Sequence, residues 1–121
     1  MSATVLNITF DCTAPGTVAR FWAAVTGWAL HEEGTWDGHE EFSVGSPAEG
    51  GIRLYFVGVP EPKAVKNRLH LDVVPHDRSQ REEVARLVGL GASVAEDQPA
   101  DVGWVVMADP EGNEFCVERG D

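Results

Sequence analysis

Residues 5–12 (VLNITFDC) alternate between apolar and polar with a period of two. Ile8 and Phe10 share one face, and Asn7, Thr9 and Asp11 share the other, which predicts a half-buried strand. Pro15 stands where a first helical residue is expected. Val18, Phe21, Trp22 and Val25 follow at helical spacing, the stripe of an amphipathic helix laid on a sheet, and Gly27 is its natural stop. Short strands are predicted near residues 28–32, 40–45 and 52–59, separated by the turn-rich segments 34–38 and 46–51. Residues 60–67 (PEPKAVKN), with two prolines, suit neither strand nor helix and read as a linker.

The same order then returns. Residues 68–74 (RLHLDVV) alternate again, with Leu69, Leu71 and Val73 on one face and His70 and Asp72 on the other. Asp77 is placed to cap a helix with Gln80 as its reciprocal partner. Val84, Leu87 and Val88 give that helix its apolar stripe, and Gly89 or Gly91 ends it. Strands are predicted at 92–96, 103–108 and 113–118, with Asp109, Pro110, Glu111 and Gly112 as a hairpin turn. When Asn7 is laid over His70, Ile8 meets Leu71, Phe10 meets Val73, Phe21 meets Val84 and Val25 meets Val88. The pattern therefore predicts one internally duplicated α+β domain, with a first module at about 4–59, a linker at about 60–67 and a second module at about 68–119.

Length and charge narrow the function. A chain of 121 residues suffices for one core and not for two independent domains. No stretch approaches the roughly 20 apolar residues that span a bilayer, and no secretory leader precedes the first strand, so a cytoplasmic protein with no membrane partner is expected. Only nine Lys and Arg stand against 20 Asp and Glu, for a net charge of −11, which argues against nucleic acid as a partner. The densest basic group is Lys63, Lys66 and Arg68. Two cysteines, Cys12 and Cys116, form no framework pattern and are read as free thiols. Phosphate-loop and nucleophile-elbow motifs are both missing.

Three passages carry a resemblance: residues 8–28 with FWAAVTGW, the linker and following strand VPEPKAVKNRLHLDV, and DPEGNEFCV at 109–117. Together they span both halves, and the chain resembles the glyoxalase-like branch of the vicinal oxygen chelate superfamily. The resemblance implies two βαβββ modules whose strands form a curled, cup-shaped mixed sheet, a site inside the cup, and assembly as a homodimer. The superfamily includes lactoylglutathione lyases, extradiol dioxygenases, epimerases and thiol transferases, together with metal-free proteins that sequester bleomycin-like drugs. Its metal enzymes place one ligand on the first and last strand of each half, where a divalent ion polarises substrate oxygens. By that resemblance the four positions fall on Asn7, Tyr55, His70 and Cys116. His70 alone is a standard ligand in a standard place; Cys116 would suit a soft ion, and Asn7 and Tyr55 are poor ligands.

Candidate chemistry follows from these positions. His70 is a catalytic acid–base candidate, with a half-buried structural histidine as the plainer alternative. Glu114 and Glu118 flank Cys116 by period-two spacing, and Glu114 is a second, weaker acid–base candidate. Cys116 itself reads as readily as a small buried hydrophobe. Asn7, Tyr55, Asp72, Trp104, Cys116 and Trp36 are candidate ligand contacts, with Trp104, Tyr55 and Phe42 forming an aromatic wall. Lys63, Lys66, Asn67 and Arg68 either meet an anionic group or fix the linker. Three functions stay open. The first is a small-molecule-binding protein without tightly bound cofactor, with or without metal-independent lyase or isomerase activity. The second is a metal-dependent lyase or dioxygenase with His70 and Cys116 on a divalent ion. The third is a non-catalytic structural or regulatory dimer.

Overall fold

The computed structural model describes residues 1–46, 51–96, 98 and 102–120. The chain divides into two compact units, Met1–Pro62 and Lys63–Asp121, each a strand, a helix and three further strands. This is the duplicated α+β order that the apolar pattern predicts.

The first unit contains β1 (Asn7–Cys12), α1 (Pro15–Thr26), β2 (Leu30–Trp36), β3 (His39–Val44) and β4 (Arg53–Gly58). They form a mixed sheet of order β1-β4-β3-β2, with β1 parallel to β4 and the other pairs antiparallel. Pro15 opens α1, and Gly27, at φ +74°, closes it in the left-handed conformation that glycine adopts without penalty. Val18, Ala19, Phe21 and Trp22 of the helix are buried with Phe42, Val44, Leu54 and Phe56 of the sheet. Phe10 stacks on Phe56 at 4.9 Å and meets Trp22 at 5.9 Å. These ring contacts hold α1 to one sheet face.

The second unit contains β5 (Leu71–Val73), α2 (Gln80–Gly89), β6 (Ser93–Val94), β7 (Val105–Ala108) and β8 (Glu114–Val117). Its sheet has the order β5-β8-β7-β6, again parallel at β5–β8 and antiparallel elsewhere. Leu87, Ala92, Met107, Phe115 and Val117 make its core. The Gln80 amide nitrogen donates to the Gly103 and Val117 carbonyls, both at 2.9 Å, and ties the start of α2 to the sheet. The turn between β7 and β8 closes on the buried Asp109, whose carboxylate accepts from the Glu111 and Asn113 amides at 2.9 Å.

Several boundaries differ from the sequence expectation. β2 runs to Trp36 rather than stopping near residue 32, because Gly34 sits inside the strand at a bulge. The turn shrinks to Asp37 and Gly38, both with positive φ, as a two-residue hairpin requires. Of the expected turn at 46–51, residues 47–50 lie outside the described residues. The expected strand at 68–74 keeps only Leu71–Val73; Leu69 is 66% exposed and its side chain is not part of the apolar face. Asp77 does not cap α2. Ser79 does, in a capping box with Glu82, while Asp77 pairs with Arg78 at 3.1 Å. Val88 of the expected helix stripe is 48% exposed, and the buried neighbour of Leu87 is instead Glu83, held by Arg78 and Arg86.

Candidate functional site

In the second unit, period-two alternation sends Phe115 and Val117 into the core and turns Cys116 to the other face of the sheet. Strand register places Asp72 on one side of Cys116 and Val106 on the other, so the three form one row across β5, β8 and β7. This row floors a cleft of about 370 Å³. Trp104, 41% exposed, contributes one wall. His70 and Lys66 stand over the β5 side, and Glu114 and Glu118 continue the cleft along β8 on either side of Cys116.

One imidazole nitrogen, one carboxylate oxygen and one sulfur meet here. The donor atoms of His70, Asp72 and Cys116 all lie within 4.8 Å of one another. His70 Nε2 is 3.5 Å from Asp72 Oδ1, close enough for attraction but longer than a strong charge-assisted hydrogen bond. Burial pushes the Cys116 thiol up from its ordinary value, and the charges of Asp72 and Glu118 push it the same way. Lys66 opposes them without prevailing. The thiol therefore stays protonated near neutrality and makes a poor nucleophile.

Glu114 has another occupation. It accepts from Lys63 Nζ at 3.1 Å and from the Asn67 backbone amide at 3.0 Å. Burial alone would raise its carboxyl, but these two donors outweigh that and hold it below the ordinary range. It lines the cleft as a neutralised group that accepts protons poorly. Asn67 also donates to Asn113 Oδ1 at 3.0 Å, so Lys63 and Asn67 fix the linker to the DPEG hairpin.

The corresponding face of the first unit is built differently. Thr9 pairs with Tyr55 as Asp72 pairs with Cys116, so the duplicated register makes Tyr55 the counterpart of Cys116. Asn7 Oδ1 accepts from Arg53 Nε at 2.8 Å. The Arg53 guanidinium lies 5.2 Å from the Tyr55 ring centre. The Tyr55 hydroxyl donates to Glu41 Oε1 at 2.6 Å, and that bond, with burial and the carboxylate charge, drives its pKa up to about 12. Buried Ser43 donates to Glu33 Oε2 at 2.6 Å.

Asn7 and Tyr55 are thus brought together, but as partners of Arg53 and Glu41. Phe42 is not part of an aromatic wall with Tyr55. It pairs with Phe56 on the helix-covered face, against Gly16 and Arg20. Trp36 ends β2 beside the hairpin turn at 73% exposure, away from the Asn7–Tyr55 group. Arg53 and Val106 were not singled out in the sequence. Arg53 carried a signal, a lone charge in an otherwise apolar strand facing the same way as Tyr55; Val106 carried none.

These geometries decide how well a metal fits. The four-residue centre implied by the resemblance does not fit a hard divalent ion. A guanidinium already occupies the Asn7 oxygen, Tyr55 is held as a neutral phenol, and Cys116 replaces an oxygen donor. The His70, Asp72 and Cys116 donors suit a softer ion.

Comparison with known proteins places the chain. The model of the glyoxalase-like domain family matches residues 7–118. No curated protein sequence matches. Among solved structures, the fosfomycin resistance protein FosX of Mesorhizobium loti is similar at 15% identity and TM-score 0.73, covering 100% of this chain and 94% of that one. Glyoxalase I of Leishmania major is similar at 12% identity and TM-score 0.66, with 98% and 88% covered. A glyoxalase-related enzyme of Fulvimarina pelagi is similar at 20% identity and TM-score 0.63, with 94% and 86% covered. At these identities the structural likeness speaks for the fold, while the family match spans nearly the whole chain. The chain belongs to the glyoxalase-like domain family.

Proposed function

We propose that this domain binds a small, partly apolar or aromatic molecule in the cleft of its second unit, with His70 as the proton-transfer group if the ligand is turned over. One observation carries the reading. A protonated thiol, an exposed indole and an imidazole next to a carboxylate converge on a single cavity of about 370 Å³, a size that suits a small ligand. Asp72, 3.5 Å from Nε2, would hold the His70 ring in place. Glu114, already neutralised, would shape the cavity rather than move protons. A fosfomycin resistance protein and a glyoxalase I share the fold, yet identities of 15% and 12% transmit a scaffold and not a substrate.

A ligand screen read by tryptophan fluorescence and melting temperature tests this. A true ligand gives stabilisation that grows with its concentration. Any turnover should fall by roughly 100-fold or more in His70→Ala while the fold is kept. A broad screen that stabilises nothing would sink the binding reading; full activity in His70→Ala would sink the proton-transfer role.

The mutual distances of His70, Asp72 and Cys116 favour a second reading, in which the three hold a thiophilic divalent ion such as zinc. Such an ion would supply Lewis acidity at the cleft floor. Stoichiometric zinc in protein purified without chelator, lost in both His70→Ala and Cys116→Ser, would establish it. The proposal also takes the chain as a cytoplasmic homodimer. The family resemblance supports the dimer, and two free cysteines suit a reducing compartment. Among the described residues no helix is long and apolar enough to cross a membrane.

A further inference from the structure

The cleft has an electrostatic sign, set by two carboxylates that no lysine pairs with among the described residues. Five ionisable groups besides Cys116 line it: Lys66, His70, Asp72, Glu114 and Glu118. Lys63, from outside the lining, neutralises Glu114 at 3.1 Å and removes one carboxylate from the account. Asp72 and Glu118 remain. Among the described residues, the one ion-pair contact of Asp72 is to the His70 imidazole at 3.5 Å, and Glu118 has none. Lys66 is the one permanent cation in the lining, set against two carboxylates.

With Glu114 paired to Lys63, two carboxylates stand against one lysine in the lining, so negative charge prevails around the Cys116 floor where a ligand would rest. The same floor is flanked by an indole and by Val106, which offer a flat apolar wall. An electron-rich ring face beside unneutralised carboxylates attracts a cation from two directions. An anionic ligand would meet like charge in a confined space, where charges are poorly screened.

Resting on the reading that this cleft holds a ligand, we propose that the ligand is an organic cation, a protonated amine or quaternary ammonium carried on a flat apolar body. The apolar body lies along Trp104 and Val106, and the cationic group sits between Asp72 and Glu118. Lys66 works against binding and limits its strength.

A matched set of probes tests the charge without changing the body: naphthylethylamine, naphthylethanol and naphthaleneacetate. Binding is measured by calorimetry at low ionic strength and about pH 8, and its location by the nitrogen-15 NMR signal of the Trp104 indole. The amine should bind roughly tenfold more tightly than the alcohol, and the acetate more weakly than both. Asp72→Asn combined with Glu118→Gln should erase the preference of the amine over the alcohol. Lys66→Gln, a change at an exposed side chain, should strengthen amine binding by roughly threefold.

The outcomes separate the two claims. If the Trp104 signal moves but the alcohol or acetate binds as tightly as the amine, the cation proposal falls and the binding cleft stands. An amine preference that survives the double substitution in a protein with well-dispersed amide signals overturns it as well. If none of the three probes moves the Trp104 signal, the cleft reading falls and the cation proposal falls with it.

Discussion

At the scale of single residues, Cys116 shows how identity and environment part company. In many sites a cysteine beside a histidine is a nucleophile; here burial, followed by the Asp72 and Glu118 charges, holds the thiol in its protonated form. Near about pH 8, iodoacetamide should therefore modify Cys116 more slowly than free cysteine. Asp72→Asn should speed that reaction by roughly twofold to fivefold, since it removes a negative charge and an acceptor together. Mass spectrometry reads the rate, and Cys12, fully buried, stays unlabelled in the folded protein. An unchanged rate in Asp72→Asn would mean that access rather than charge controls the thiol. The shared face of His70 and Asp72 was legible in the sequence through strand alternation, and Cys116 was assigned to the same site through the family resemblance; the β5–β8 register brings them together. The state of Cys116 was not legible, since Asp72 and Lys66 reach it from outside its own strand. Glu114 was misleading for the same reason: its spacing suggests chemistry, while its partners Lys63 and Asn67 belong to a linker.

At the scale of elements, the helices followed the apolar pattern and the boundaries followed local competition. Asp77 with Gln80 and Ser79 with Glu82 both satisfy the spacing of a capping box. The structure chooses Ser79, whose hydroxyl accepts from the Glu82 amide at 3.1 Å while Asp77 pairs with Arg78. Ser79→Ala should thus cost about 1 kcal/mol in chemical denaturation, and Asp77→Ala only a few tenths. The reverse ranking would place the cap where the sequence pattern first suggested. β5 is shorter than its alternation implies because its parallel partner β8 spans only Glu114–Val117, and a ladder cannot outrun its partner. The aromatic wall failed at this scale too: the β3–β4 register that pairs Phe42 with Phe56 sends Phe42 under α1.

At the scale of the whole molecule, the duplication was readable because apolar phase survives where identity does not. That Asn7 and Tyr55 make poor metal ligands was also readable from their residue types. How the two are held in the first unit was hidden, because it depends on Arg53 and Glu41 from neighbouring strands. The abundance of carboxylates gives stability a pH dependence of definite sign. The Arg86 hydrogen bond beats burial and lowers the carboxyl of Glu83, with Arg78 assisting; Glu114 is lowered by its own donors. Groups lowered by folding stabilise at pH above their unfolded value, and that stabilisation drains away as pH falls through the folded value. Melting temperature should accordingly hold near neutrality and drop below the ordinary carboxylate value of 4.5. Glu83→Gln should cost about 1–3 kcal/mol at neutral pH, and the gap to wild type should close in acid. A gap that persists in acid would assign the loss to packing rather than to charge.

Gln98 has a consequence of another kind. Beyond the two residues of β6, its side-chain amide takes over the edge of β7, donating to the Val106 carbonyl at 2.8 Å and accepting from the Val106 amide at 3.0 Å. The glutamine side chain imitates a strand backbone at Val106. An open edge there would be a template for another copy's strand, the route by which sheets grow into aggregates. Removing this one uncharged side chain would bare the Val106 backbone amide, and the loss should be felt in solubility before it is felt in the fold.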